Sequence, residues 1–80
     1  MHEAKAEIVA NVWKLVAAPG DEVAAGDVIA VLETMKMEIP VNAGVDGTVT
    51  EIRVTQGQIV QEGDVIAVVV NPLDGVGQPE

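Results

Sequence analysis

The sequence contains an internal repeat, in which residues 12–32 and 49–69 align at an offset of 37 with nine identical positions. Six of the identities form one block, Gly-Asp-Val-Ile-Ala-Val, at residues 26–31 and again at 63–68. Self-similarity of this kind indicates two copies of one supersecondary motif. Because a solenoid usually needs about three or more units, we expect the two copies to close on each other around one core by a pseudo-two-fold axis.

The residue types predict that both copies are built from strands. Valine and isoleucine dominate a chain that is 49% hydrophobic, and Trp13 is its only aromatic residue, which we expect to be structural. β-Branched residues favour strands, and no stretch shows helical periodicity. Extended segments are predicted at residues 6–10, 12–17, 22–23, 28–33, 37–41, 48–54, 59–60 and 64–70, and most of the connections between them contain glycine or aspartate.

Eighty residues allow one domain. We expect a flexible leader over residues 1–5, with His2 disordered, and a compact domain over residues 6–70. Residues 71–80 contain two prolines and two glycines, which predicts a flexible C-terminal tail.

Composition excludes several classes of function. A net charge of −9 with only four Lys and Arg residues argues against nucleic acid and against an anionic membrane surface. No apolar run reaches the roughly 20 residues that span a bilayer, and the N-terminus lacks the apolar segment of a secretory signal, so we expect a cytoplasmic protein. The absence of cysteine and the single histidine predict neither disulfides nor a metal site.

The segment from Glu33 to Pro40 departs from ordinary turn chemistry. If the strands on either side pair antiparallel, Met35 and Lys36 occupy the tip of a hairpin, where Asn-Gly or Gly-X is preferred. Met-Lys at this position implies either backbone strain or a requirement for those side chains. Glu33 and Glu38 would then lie opposite each other, and such like-charge pairs cost about 0.2–1 kcal/mol unless another group compensates.

Lys36 does not by itself make the chain an enzyme. An exposed lysine is protonated at neutral pH and is a poor nucleophile, and the sequence offers no pairing of nucleophile with base. A lysine on a rigid, protruding hairpin is, however, suited to acylation by another enzyme that supplies a base and an activated acyl group.

The run Glu33-Thr34-Met35-Lys36-Met37-Glu38-Ile39-Pro40 resembles the biotinylation motif of biotin carboxyl carrier domains, in the biotin/lipoyl attachment family. The resemblance covers nearly the whole chain, since further matches occur at Pro19-Gly20-Asp21, Gly26-Asp27, Asp46-Gly47-Thr48-Val49 and Gly63-Asp64. Residues 17–27 are too short for the "thumb" insertion of one subclass, so the chain looks like a thumbless carrier.

The resemblance implies a fold and a set of roles. The fold would be a flattened β-barrel, or barrel-sandwich hybrid, of two four-stranded antiparallel sheets related by a pseudo-two-fold axis, which agrees with the repeat. Lys36 would carry biotin, and Glu33, Met35, Met37 and Glu38 would be recognised by biotin protein ligase. The carrier, expected to be a monomer in isolation, would move carboxyl groups between a biotin carboxylase and a carboxyltransferase.

Two alternatives remain open. A lipoyl carrier of a 2-oxoacid dehydrogenase or glycine cleavage system is similar in fold but usually has an acidic residue before the lysine and alanine after it, unlike Met35 and Met37. An unmodified interaction module would keep the fold without a cofactor. A phosphopantetheine carrier is excluded because the chain contains no serine. The acceptor could be acetyl-CoA, propionyl-CoA, pyruvate or oxaloacetate, of which we favour an acyl-CoA.

Overall fold

The computed structural model describes residues 1–71, and its regular elements are all strands. Eight strands follow along the chain: β1 His2–Lys5, β2 Ala10–Leu15, β3 Glu22–Val23, β4 Val28–Glu33, β5 Glu38–Asn42, β6 Gly47–Ile52, β7 Ile59–Val60 and β8 Val65–Val70. The predicted all-β class is confirmed. The tail predicted over residues 71–80 lies, apart from Asn71, outside the described residues.

The strands form two four-stranded antiparallel sheets, in the orders β1-β8-β6-β3 and β5-β4-β2-β7. The sheets enclose one apolar core and so form the flattened barrel that the resemblance predicts. Connections are brief: residues 16–21 join β2 to β3, and residues 24–27 join β3 to β4, which leaves no inserted thumb there.

The two halves obey the predicted pseudo-two-fold. Strands β2, β3 and β4 are followed 37 residues later by β6, β7 and β8, with identical lengths. The halves also exchange equivalent hydrogen bonds. The Gly20 amide donates to the Val49 carbonyl oxygen at 2.7 Å, and the Gly57 amide donates to the Val12 carbonyl oxygen at 2.7 Å. The repeat is therefore a physical symmetry in which each half completes the other.

The repeated Gly-Asp turns are held by their aspartate side chains. Asp27 Oδ2 accepts a hydrogen bond from the Ala24 amide at 2.9 Å, and Asp64 Oδ2 accepts one from the Gln61 amide at 2.8 Å. A carboxylate that binds the backbone three residues earlier replaces a turn's missing main-chain partner. This explains why aspartate recurs at the same place in both halves.

The core consists of aliphatic side chains from both sheets, with no buried polar or charged residue within residues 1–71. Its largest fully buried members are Ile29, Leu32, Ile66, Val12, Val49, Val60 and Val69. Ile29 and Ile66 are pseudo-symmetric equivalents, as are Val12 and Val49.

Residues 1–5 differ from the predicted flexible leader. Four of them form β1, which pairs with β8 from His2 opposite Val69 to Lys5 opposite Val65. Ala4 is buried, and the His2 side chain packs over Gly44, so the prediction that His2 is disordered is wrong as well. β1 is an edge strand with one face in solvent, and for that reason it can be mostly polar and still be part of the sheet.

Gly47, the first residue of β6, is packed against the end of β8. A Cβ atom there would collide with the carbonyl oxygen of Val70 and lie 2.8 Å from its carbonyl carbon. Since these are backbone atoms, they cannot rotate away. We expect Gly47→Ala to lower the free energy of unfolding by about 1–3 kcal/mol, measured by urea denaturation followed by circular dichroism.

Gly26→Ala is the matched control. No atom lies within 4 Å of a Cβ built on Gly26, and its φ is not positive. We expect a change of less than about 1 kcal/mol in either direction. Equal denaturation midpoints for the two variants would show that the contact with Val70 is unimportant.

Residues 1–71 contain no helix with the length and apolar character needed to cross a membrane.

Candidate functional site

The hairpin between β4 and β5 presents Lys36 at its tip. β4 ends at Glu33, β5 begins at Glu38, and the Thr34 amide donates to the Met37 carbonyl oxygen at 2.9 Å. The Thr34 hydroxyl reinforces the turn, because its oxygen accepts from the Lys36 amide at 3.3 Å and donates to the Met37 carbonyl oxygen at 3.4 Å. The turn is thus held by side-chain hydrogen bonds to the backbone.

The turn is not strained in the way that its residue types suggest. No residue other than glycine has a positive φ within the described chain. Of the two explanations that the sequence left for Met35 and Lys36 at the tip, strain in the left-handed region is wrong. The other explanation, a requirement for these side chains, stays a prediction.

The side chains at the tip point into solvent. Met35 is fully exposed, Met37 is 58% exposed, and Lys36 is exposed too. Packing among residues 1–71 does not explain two methionines outside the core. The Lys36 ammonium forms no hydrogen bond or ion pair with any of residues 1–71, which leaves it free to meet another molecule.

Glu33 and Glu38 face each other across the base of the hairpin, as predicted. Glu33 is half-buried and Glu38 is exposed. Neither carboxylate forms an ion pair with Lys36 or with another cation in residues 1–71. The repulsion between them is therefore not relieved inside this part of the chain.

Trp13 and a metal site were both considered from the sequence, and neither was predicted to carry function. Trp13 lies on β2 with the Lys14 ammonium 5.6 Å from its ring centroid, an exposed cation–π contact. No group of three or more His, Cys, Asp or Glu residues that could hold a metal exists in the described part of the chain.

An open groove beside the hairpin was not anticipated from the sequence. It has a volume of about 870 Å³, and Lys36, Met35 and Met37 line one side of it. The other side is formed by Ile8 and Val9, in the connection between β1 and β2, and by Ile59 of β7. These apolar residues are exposed at 44%, 52% and 65%. Comparison of the two repeats could have found them, because Val9 and Ile59 correspond to Asp46 and Glu22.

Comparison with known families and proteins gives consistent results. The family model for biotin-requiring enzymes, named biotin-lipoyl, matches residues 4–69. The "Biotinylated protein TB7.3 homolog" of Mycobacterium leprae is 51% identical over 67 residues, which are 84% of this chain and 94% of that protein.

The chain is also similar to segments of much larger proteins. A biotin-dependent acyl-coenzyme A carboxylase alpha3 subunit of Mycobacterium leprae is 44% identical over 57 residues, which cover 71% of this chain and 10% of that subunit. The crystal structure of Kluyveromyces lactis urea carboxylase superposes with a TM-score of 0.81 at 40% identity, over 86% of this chain and 6% of that one.

The matched segments include the Met-Lys-Met hairpin and both halves of the barrel, since the family model runs from β1 to β8. The chain therefore belongs to the biotin/lipoyl attachment family, as a biotinyl carrier domain whose cofactor is biotin.

Proposed function

We propose that Lys36 is the residue to which biotin is attached, through an amide on its Nζ atom. One observation carries the proposal: Lys36 stands at the tip of the hairpin with its amine unpartnered and an exposed methionine on each side. The other lysines of this chain are engaged, Lys5 with Glu3 at 3.7 Å and Lys14 with the Trp13 ring. An exposed, uncluttered amine fits a group that is added covalently by another protein.

The addition itself is an acyl transfer. A ligase would supply biotin with its carboxyl group activated and a base that removes a proton from the lysine. The new C–N bond forms as the bond between the acyl carbon and its activating group breaks. Because the lysine loses its charge, the formal net charge of the chain changes from −9 to −10.

The side chains around Lys36 would be read by biotin protein ligase. Met35 and Met37 offer polarizable apolar surface on both sides of the lysine, and Glu33 and Glu38 offer two carboxylates that nothing in residues 1–71 neutralises. A cationic partner would relieve their repulsion on binding. This arrangement favours a ligase with basic groups that flank its lysine channel.

In the carrier role, bound biotin would take up a carboxyl group at a biotin carboxylase and release it at a carboxyltransferase. The paired strands β4 and β5 would fix the hairpin to the barrel, and the tether would replace diffusion by a high local concentration at each enzyme. We favour an acyl-CoA carboxylase as the assembly that this carrier serves, because one of the similar proteins is an acyl-coenzyme A carboxylase subunit.

The test is the intact mass of the chain after co-expression with a biotin ligase. We expect an increase equal to one biotinyl group, mapped to the peptide that contains Lys36. An unchanged mass, or the increment of a lipoyl group, would refute the proposal. Isolation of the endogenous partners would then identify the carboxyltransferase and its acceptor.

Replacing one of the opposed carboxylates is expected to make the fold more stable but biotin addition by the ligase slower. Glu38→Gln removes the like-charge pair with Glu33 and should raise the free energy of unfolding by about 0.2–1 kcal/mol. The same change should slow biotin addition roughly tenfold or more, because a hydrogen bond to a charged group contributes about 1.5–3 kcal/mol. Urea denaturation and the ligase kcat/KM measure the two effects.

Glu22→Gln is the control, since Glu22 is an exposed glutamate on β3 in the other sheet. It should leave biotin addition unchanged. If Glu38→Gln were loaded as fast as the unaltered chain, Glu38 would not be a recognition residue.

A further inference from the structure

The groove beside the hairpin breaks the symmetry of the barrel. Its apolar residues Ile8, Val9 and Ile59 correspond, at the offset of 37, to Val45, Asp46 and Glu22. The backbone around these positions is equivalent: the Ala6 amide donates to Asp64, and the Ala43 amide donates to Asp27, both at 2.9 Å. The fold accepts carboxylates at two of the three positions in one half. Apolar residues in the other half are thus not needed to build it.

The polar groups of the groove are few, and the Asn11 side-chain amide is one of those without a partner in residues 1–71. Asn11, Thr34 and Glu33 lie among its lining residues. The Asn11 side chain forms no hydrogen bond with any residue in the described part of the chain. It therefore offers both amide donors and a carbonyl acceptor to a ligand. An open, mostly apolar surface that also carries an unpaired amide is suited to contact one face of a small ring with hydrogen-bonding groups.

Lys36 lines the same groove, so any group joined to its amine begins at the groove's edge. Acylation removes the one cation that this lining holds and adds an aliphatic arm in its place. The groove becomes more apolar at the moment when the lysine acquires its cofactor. A ligand tethered in this way has an effective concentration on the order of millimolar, so a weak intrinsic affinity is enough for substantial occupancy.

We propose that this groove is a resting site for the ring of the biotin carried on Lys36, with Ile8, Val9 and Ile59 against the ring and Asn11 hydrogen-bonded to its urea group. The inference rests on the proposed attachment at Lys36. It assigns to the groove a ligand that is part of the loaded protein, in place of a separate partner. Partner enzymes would have to withdraw the ring from this site before using it.

The test uses the ligase-loaded chain, labelled with ¹³C at its methyl groups and carrying unlabelled biotin, with loading established by intact mass. We expect isotope-filtered nuclear Overhauser effects between the biotin ring protons and the methyl groups of Ile8, Val9 and Ile59. The Val45 methyl groups, at the position equivalent to Ile8, are the internal control and should show none. A mass that does not rise would overturn both the attachment and the resting site.

If the chain is loaded but no such effects appear at the three residues, the resting site is overturned while the attachment stands. The groove would then be open to a partner protein. Nuclear Overhauser effects of equal strength at Val45 would also overturn the site, because they would show that the biotin ring contacts both halves of the barrel equally.

The other half of the barrel supplies the matched variant, Val9→Asp combined with Ile59→Glu. The two substitutions give positions 9 and 59 the residues found at their equivalents in the other half, Asp46 and Glu22. Asp46 Oδ1 accepts from the Ala25 amide at 2.8 Å, and an aspartate at position 9 could accept from the Glu62 amide in the same way. We expect the loaded variant to have the same denaturation midpoint as the unaltered chain. The nuclear Overhauser effects between the biotin ring and the Ile8 methyl groups should weaken at least fivefold. A loaded variant that retained them would contradict the site.

Discussion

Lys36→Arg is expected to abolish the attachment of biotin completely. The arginine side chain keeps the positive charge and most of the length of lysine, so the hairpin, which Thr34 closes through backbone contacts, should be unaffected. A guanidinium stays protonated at every physiological pH and cannot act as the acyl acceptor. After co-expression with a biotin ligase, we expect an unshifted intact mass and no binding to streptavidin.

Lys14→Arg is the control for that experiment. Lys14 is an exposed lysine on β2, away from the hairpin, with its ammonium 5.6 Å from the Trp13 centroid. Arginine can keep this cation–π contact, so both the fold and biotin loading should be unchanged. Binding of streptavidin to the Lys36→Arg chain, or loss of loading in Lys14→Arg, would contradict the assigned site.

Ile66→Ala is expected to lower the free energy of unfolding by about 2–5 kcal/mol, and Ile29→Ala by a similar amount. Both isoleucines are completely buried, at equivalent places in β8 and β4. Each truncation removes apolar area and leaves a cavity that neighbouring strands cannot fill without breaking their register. Since native proteins have only about 5–15 kcal/mol of stability, and small domains lie at the low end of that range, the double variant should be largely unfolded at room temperature.

Urea denaturation followed by circular dichroism measures these losses, with Ile59→Ala as control. Ile59 undergoes the same chemical change but is 65% exposed, so we expect a loss below about 1 kcal/mol. Unequal costs for Ile29 and Ile66, beyond about 2 kcal/mol, would show that the two halves are symmetric in backbone but not in packing.

The strands could be read from the sequence where the repeat holds. β3, β4 and β7 have the predicted bounds, because the flanking Gly-Asp turns are specified by local hydrogen bonds such as that of Asp27 to the Ala24 amide. β1 was missed. Residues 1–5 share no identical residue with 38–42, their structural equivalents, and an edge strand needs only one face to be apolar.

The candidate site could be read from the sequence only in part. Met35 and Lys36 were recognisable because they are unusual at a hairpin tip, and the structure places both there, in solvent. The hydrogen bonds that close the turn could not be predicted from the sequence. They depend on the rotamer of Thr34, whose hydroxyl contacts two backbone groups within the turn.

The repeat and the lysine hairpin follow from the sequence alone. The repeat is visible as identical residues at a constant offset, and the hairpin is visible as an unusual turn between two predicted strands. Burial is different, because it depends on which distant strands meet. Ile29 and Ile59 look alike in the sequence, yet one is in the core and the other lines the groove beside Lys36. Likewise, Ala10 keeps its Cβ while the equivalent Gly47 has no room for one, because the end of β8 passes beside Gly47. Contacts between residues far apart in the chain decided both.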